Sequence, residues 1–170
     1  MTFVNTNLIE FINYIINYEH IDDIIEQCTT ASEKGFVYER LWDIIIKFGF
    51  CDTFSNEMYK HVIGNSNTGK VKYLKNLDIY LHDQKVYSGN STGCSDVTLQ
   101  NKKDDSFIFI SSKYFENDIK TIYDYDIQNI VSMIDENKHI YKNYEIYLAV
   151  YDKTHIIDKA NNASLTSRYI

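Results

Sequence analysis

Hydrophobic positions divide the chain into stretches of different period. Between Thr6 and Gln27, Leu8, Ile9, Phe11, Ile12, Ile15, Ile16, Ile21, Ile24 and Ile25 recur at three- and four-residue spacings, which predicts an amphipathic helix with a break near His20. Thr30-Ala31-Ser32-Glu33 matches a capping box, KGFVYERLWDIIIKF continues at helical spacing, and Gly49 stands where a left-handed C-cap residue belongs. On this second helix Val37, Leu41, Ile44, Ile45 and Phe48 form one apolar face, while Phe36, Trp42 and Ile46 carry apolar surface round the other side. Glu39 falls in that second group. A helix apolar on two sides is buried, and a carboxylate there is costly unless a cation or hydrogen-bond donors compensate it. The plain alternative is that Glu39 pairs with Lys or Arg, or points outward.

From Phe50 to Asn76 the pattern is irregular and polar. Strand-like runs follow: LDIYL at 77–81, KVYS at 85–88, DVTLQ at 96–100 and FIFISSKYF at 107–115, with NKKDDS between the last two as a hairpin turn. Residues 117–137 return to helical spacing through Ile119, Ile122, Tyr123, Ile127, Ile130, Val131 and Ile134, and YEIYLAVY at 144–151 is an interior strand. The expected fold class is α/β (α+β): a single domain over 1–170, with a helical cover at 1–29, a core at 30–152 of helix, strands, helix and strand, and a tail or linker at 153–170.

A chain of 170 residues with 44% hydrophobic and 15% aromatic content can bury a core of its own. No window approaches a membrane span, and the opening MTFVNTNLIEF lacks the features of a secretory signal, so the expected compartment is intracellular and aqueous, not secreted. Cys28, Cys51 and Cys94 are odd in number and far apart, which excludes a disulfide framework or a zinc knuckle and leaves oxygen as the donor for any metal. The net charge of −7 is unevenly spread. Residues 1–59 hold ten acids against three bases; residues 60–85 hold five Lys against Asp78 and Asp83. Lys70, Lys72, Lys75 and Lys85 are therefore candidates to face nucleic-acid phosphates, against the plainer reading of a solvated face.

Two stretches carry chemistry. Gly64 to Lys70 satisfies GxxxxGK, but Val71 stands where a phosphate-binding loop needs a hydroxyl for magnesium, and only a helix beginning at VKYLKNL would supply the right context. The richer stretch is residues 88–115. Gly89 and Gly93 permit tight backbone geometry before Asp96, which opens a strand, and Lys113 ends the next strand across a short hairpin. Asp96 and Lys113 can converge on one point, and a buried Glu39 can reach it from the packed helix. Carboxylates hold Mg²⁺ with waters still bound, the cation polarises a phosphoryl oxygen, and an ammonium steadies developing charge, so this set suits metal-assisted phosphodiester hydrolysis.

The three pieces GFVYERL, GxSDVTL and FISSKYF, in that order, resemble the PD-(D/E)xK nuclease superfamily, and specifically the nuclease-like domain at the front of superfamily 2 helicases of large DNA viruses. The likeness spans roughly Glu33 to Asp152. It implies a restriction-endonuclease-like core of helix, three strands, helix and strand, and a Mg²⁺- or Mn²⁺-dependent endonuclease acting on nucleic acid, DNA above all. It further implies a helicase region in the same polypeptide, and a viral replication site in the host cytoplasm or a virion as location; a homodimer is compatible with it. Glu39 would be the helical acid, Ser95-Asp96 the "PD" step and Ser111-Ser112-Lys113 the "(D/E)xK" step, giving catalytic Glu39, Asp96, Ser111 and Lys113. The metal would sit on Asp96, Glu39 and the Ser112 backbone carbonyl. Ser111 departs from the pattern by standing where an acid or Gln is usual; Asp104, Asp105 or Glu116 are the nearby acids that could replace it. The alternatives are a non-cleaving nucleic-acid-binding domain of the same fold, or a protein-interaction module.

Overall fold

The computed structural model describes residues 8–65, 71–74, 95–114, 119–122, 124–150, 155–158 and 167–169. Two short helices come first, α1 (Leu8–Ile15) and α2 (Ile21–Glu26), and the turn between them contains the expected break at His20. Helix α3 (Ala31–Lys47) starts on the capping pattern. The Thr30 side chain accepts from the Glu33 N–H at 3.1 Å, and Glu33 Oε2 accepts from the Thr29 N–H at 2.9 Å. At the other end the Gly49 N–H donates to the Ile46 carbonyl at 3.1 Å and the Phe50 N–H to the Ile45 carbonyl at 2.9 Å, with Gly49 at φ +75°. That pair of bonds is a Schellman stop, and it requires the left-handed backbone that Gly49 adopts without a Cβ penalty.

Eight strands and one further helix follow: β1 (Tyr59–Asn65), β2 (Val71–Tyr73), β3 (Val97–Asn101), β4 (Phe107–Lys113), β5 (Ile119–Ile122), α4 (Asp124–Glu136), β6 (Tyr144–Val150), β7 (His155–Asp158) and β8 (Ser167–Tyr169). Six of the strands form one mixed sheet in the order β2-β1-β3-β4-β6-β8, and β5 pairs with β7 in a separate parallel ribbon. β3 lies between β1 and β4 and is antiparallel to both, whereas β6 lies parallel to β4, the connection between them passing through α4. The chain is thus a mixed α/β fold. No helix among the described residues is long and apolar enough to cross a membrane.

β4 is central and six of its seven residues are buried. Its side chains alternate between two cores. Phe107 and Phe109 pack with Ile127, Ile130 and Ile134 of α4, while Ile108 and Ile110 pack with Ile46 of α3 and Val97 and Leu99 of β3. A third cluster joins α1 and α2 to the outer face of α3 through Phe11, Ile24, Ile25, Val37 and Leu41. Helix α3 is therefore sandwiched, which explains its two apolar sides.

Several expectations need correction. The polar stretch 50–76 contains β1 and β2, and Gly64 lies in β1 while Val71 opens β2, paired antiparallel with β1. No helix starts at VKY, and residues 66–70 of the GxxxxGK spacing lie outside the described residues. Residues 119–122 form β5, so the helix expected over 117–137 begins at Asp124. The segment expected to be a tail contributes β7 and β8, the latter as an edge strand of the main sheet. The runs at 77–81 and 85–88 lie outside the described residues.

The stop of α3 is the local feature that aims its inner face at the sheet. A Cβ on Gly49 would lie 3.2 Å from Asn56 Nδ2, which itself donates to the Lys47 carbonyl at 3.2 Å. Gly49→Ala is therefore expected to cost about 1–2 kcal/mol, the left-handed penalty for a residue with a side chain. Chemical denaturation should show a lower midpoint at unchanged slope; an unchanged midpoint would mean that this stop constrains nothing.

Candidate functional site

Helix α3 presents Glu39, Trp42, Asp43 and Ile46 on one stripe, at spacings of three, four and seven. Ile46 is fully buried against Ile108 and Ile110, and Trp42 packs on the same cluster. Eight residues before Ile46, the Tyr38 ring faces Tyr114, with centroids 6.1 Å apart. The helix consequently runs antiparallel to β4, and Glu39 lies over the strand's last residues.

Asp96 comes to the same place from β3. Ser95 is buried, and its hydroxyl is 2.7 Å from that of Thr98, which fixes the approach to the strand. The Asp96 N–H donates to the Ile110 carbonyl at 3.0 Å, and its Oδ2 accepts the Ser112 N–H at 2.6 Å. Val97 pairs with Ile110, so the register continued by one residue sets Asp96 opposite Ser111, whose hydroxyl also bonds the Asp96 carboxylate. Lys113 closes β4, half-buried, at this same end of the hairpin.

Electrostatics confirm the proximity. The Glu39 carboxyl is pushed up to about 7, first by burial and then by the charge of Asp96, against a lowering pull from Lys113. Asp96 is also raised, chiefly by burial and further by Asp43, while the Ser112 N–H, Lys113 and the Ser111 hydroxyl oppose the rise. Two half-buried carboxylates and one half-buried ammonium therefore lie close enough to influence one another.

Of the residues singled out in the sequence, Glu39, Asp96, Ser111, Ser112 and Lys113 come together. Asp104 and Asp105 do not: they sit in the exposed turn at the far end of the hairpin, beside an open cavity of about 680 Å³ that Tyr73, Gln100 and His139 also line. Glu116, Lys70, Lys75 and Lys85 lie outside the described residues, and Lys72 is exposed on β2. Asp43 was not singled out. It is paired with Lys47 at 2.5 Å, both side chains at least 85% buried, and its position four residues after Glu39 on the inner stripe was the available signal. The buried Ser112 hydroxyl was not singled out either, and has no hydrogen-bond partner among the described residues.

Comparison with protein-family models, curated proteins and solved structures finds no match to this chain, so geometry alone carries the assignment. Among the described residues no three His, Cys, Asp or Glu side chains form a metal cluster by themselves. The donors present are two carboxylates, a strand carbonyl and an orphaned hydroxyl. That set suits a hard, hydrated cation such as Mg²⁺, which commonly takes one or two protein carboxylates and fills its remaining positions with water and phosphate oxygens.

The raised Glu39 carboxyl has a measurable consequence for folding. Below its ordinary value of 4.5 both the folded and unfolded chain keep the proton, and burial carries no charge penalty. As pH rises from there to about 7 the unfolded chain loses the proton first, so stability falls, and above about 7 the penalty is complete. Glu39→Gln, neutral throughout, is expected to unfold at a higher temperature than the wild type at about pH 8 and at the same temperature at about pH 4, in chelator-treated protein. Equal melting at both pH values would contradict a buried, raised Glu39.

Proposed function

We propose that this chain is a metal-dependent nuclease domain of the PD-(D/E)xK kind, hydrolysing phosphodiester bonds of nucleic acid and of DNA in the first place. The observation that carries the reading is the convergence of Glu39, Asp96 and Lys113, each from a different element, where the start of β3 and the end of β4 meet the middle of α3. The order of elements supports it. A helix, the antiparallel strands β1, β3 and β4, the crossover helix α4 and the parallel strand β6 follow one another as the superfamily's core requires.

In this reading Asp96 and Glu39 hold a Mg²⁺ or Mn²⁺ ion together with the Ser112 carbonyl. The bound cation supplies Lewis-acid polarisation of the scissile phosphate. Lys113, at the rim of the buried site, directs its ammonium at the charge that builds on the phosphoryl oxygens. Ser111 holds the Asp96 carboxylate by its hydroxyl, a positioning role in place of the usual acid.

A specific observation favours a second reading. With Ser111 neutral, and one Asp96 oxygen engaged by the Ser112 N–H, the site has fewer free anionic oxygens than a three-acid centre. Such a domain would bind nucleic acid without cutting it.

A nicking assay on supercoiled and single-stranded DNA with Mg²⁺ and with Mn²⁺ separates the two. Cleavage is expected, and Asp96→Ala and Lys113→Ala should each reduce it by about 10²-fold or more while salt-dependent binding persists. Binding without cleavage in either metal would establish the second reading. Absence of both would remove nucleic acid as the substrate.

A further inference from the structure

Ser112 is 1% exposed, and its hydroxyl has no hydrogen-bond partner among the described residues. An unpaired buried hydroxyl is costly, and a protein that keeps one has a ligand or water for it. Strand parity fixes where it points. Ser112 alternates with Ile108 and Ile110 and pairs with Ala149, all three of which belong to the core under α3, so its side chain is on the α3 face of the sheet. The antiparallel course of the helix fixes its height. Ile46 lies over Ile108 and Ile110 and Tyr38 over Tyr114, which brings Ser112 beneath the intervening stripe of Glu39, Trp42 and Asp43.

The hydroxyl thus faces the α3 side of the sheet where Glu39 stands, with Asp96 bonded to the N–H of the same serine. The carboxylates of Glu39 and Asp96 repel a phosphate oxygen and attract a cation, whereas the charge of Asp43 on the same stripe is compensated by Lys47. We propose that the Ser112 hydroxyl is a ligand of the divalent cation held by this site, a neutral third side-chain oxygen that makes up for the acid absent at position 111. The inference rests on the nuclease reading for the presence of the cation. It adds a donor that the resemblance does not supply, since the resemblance assigns only the backbone carbonyl of this residue.

Calorimetric titration of the full chain with Mn²⁺ and with Cd²⁺ tests it, using the wild type, Ser112→Ala, Ser112→Cys and, as a control for the location of the ion, Asp96→Ala. Ser112→Ala should bind Mn²⁺ about tenfold more weakly than the wild type, and Ser112→Cys should shift preference toward Cd²⁺ by tenfold or more, because a thiolate is a soft ligand. Without metal, Ser112→Ala should melt at a higher temperature than the wild type, since the lost group had no partner. If the wild type binds Mn²⁺ in an Asp96-dependent way while Ser112→Ala binds it equally well, the hydroxyl is no ligand and the nuclease reading survives. If the wild type binds no Mn²⁺ at millimolar concentration, both fall. A lower melting temperature for metal-free Ser112→Ala would mean that the hydroxyl is satisfied by structural water, and would overturn the proposal.

Discussion

A carboxylate held out of water between two antiparallel strands is the constraint on which the site depends. Asp96 sits one residue before β3, where the hairpin leaves the core, and burial raises its carboxyl from the ordinary value. The Ser112 N–H at 2.6 Å, the Ser111 hydroxyl and the nearby Lys113 work in the opposite direction. Hydrogen bonds to a charged group contribute about 1.5–3 kcal/mol, enough to hold the side chain in one orientation but not to cancel the cost of burying two acids together. Glu39 bears the remainder, as its displacement to about 7 records.

Polar groups that break the local pattern are concentrated in this one region. Asp43, Lys47, Asp96, Ser111 and Ser112 are half-buried or buried next to a cluster otherwise made of Ile, Leu, Val, Phe and Tyr. Departures from consistency of this kind gather at functional sites, where burial is used to shift protonation and to leave donors unsatisfied for a ligand. His61 is the comparison from outside the site. It is also buried, and burial pushes it down to about 4, but its Nε2 meets Asn56 Oδ1 while Asn56 donates to the Lys47 carbonyl. That network ties β1 to the end of α3.

The helices were legible because their signals are local. The Thr30 box and Gly49 stop specify α3 to within a residue, and the apolar spacing of Ile127, Ile130 and Ile134 specifies α4. β4 and β6 were legible as apolar runs, and the charged turn between β3 and β4 as a hairpin. β1 was not, because its buried residues include His61 beside Val62, a pair that shows neither clean alternation nor a continuous apolar run. β5 was misread since Ile119 and Ile122, three apart in a four-residue strand, also fit a helix; only pairing with β7 decides it. In the site, Glu39, Asp96 and Lys113 could be singled out by residue type and placement. Asp43 and Lys47 were harder to single out, since an acid and a base four apart on a helix look like a solvent-facing pair and only the spacing of Asp43 from Glu39 places it on the inner stripe.

The central claim is that Glu39 is a raised carboxyl sharing its site with Asp96 and a divalent cation, and not a buried acid with a purely structural partner. ¹³C NMR titration of the side-chain carboxyls, with Glu39 assigned by its absence in Glu39→Gln, measures this directly when run without metal and again with saturating Mg²⁺. The expected result is a midpoint at about 7 without metal that moves well down into the ordinary carboxylate range when Mg²⁺ is present, since the cation favours the ionised form. A midpoint near 4.5 that Mg²⁺ leaves unmoved would contradict the account.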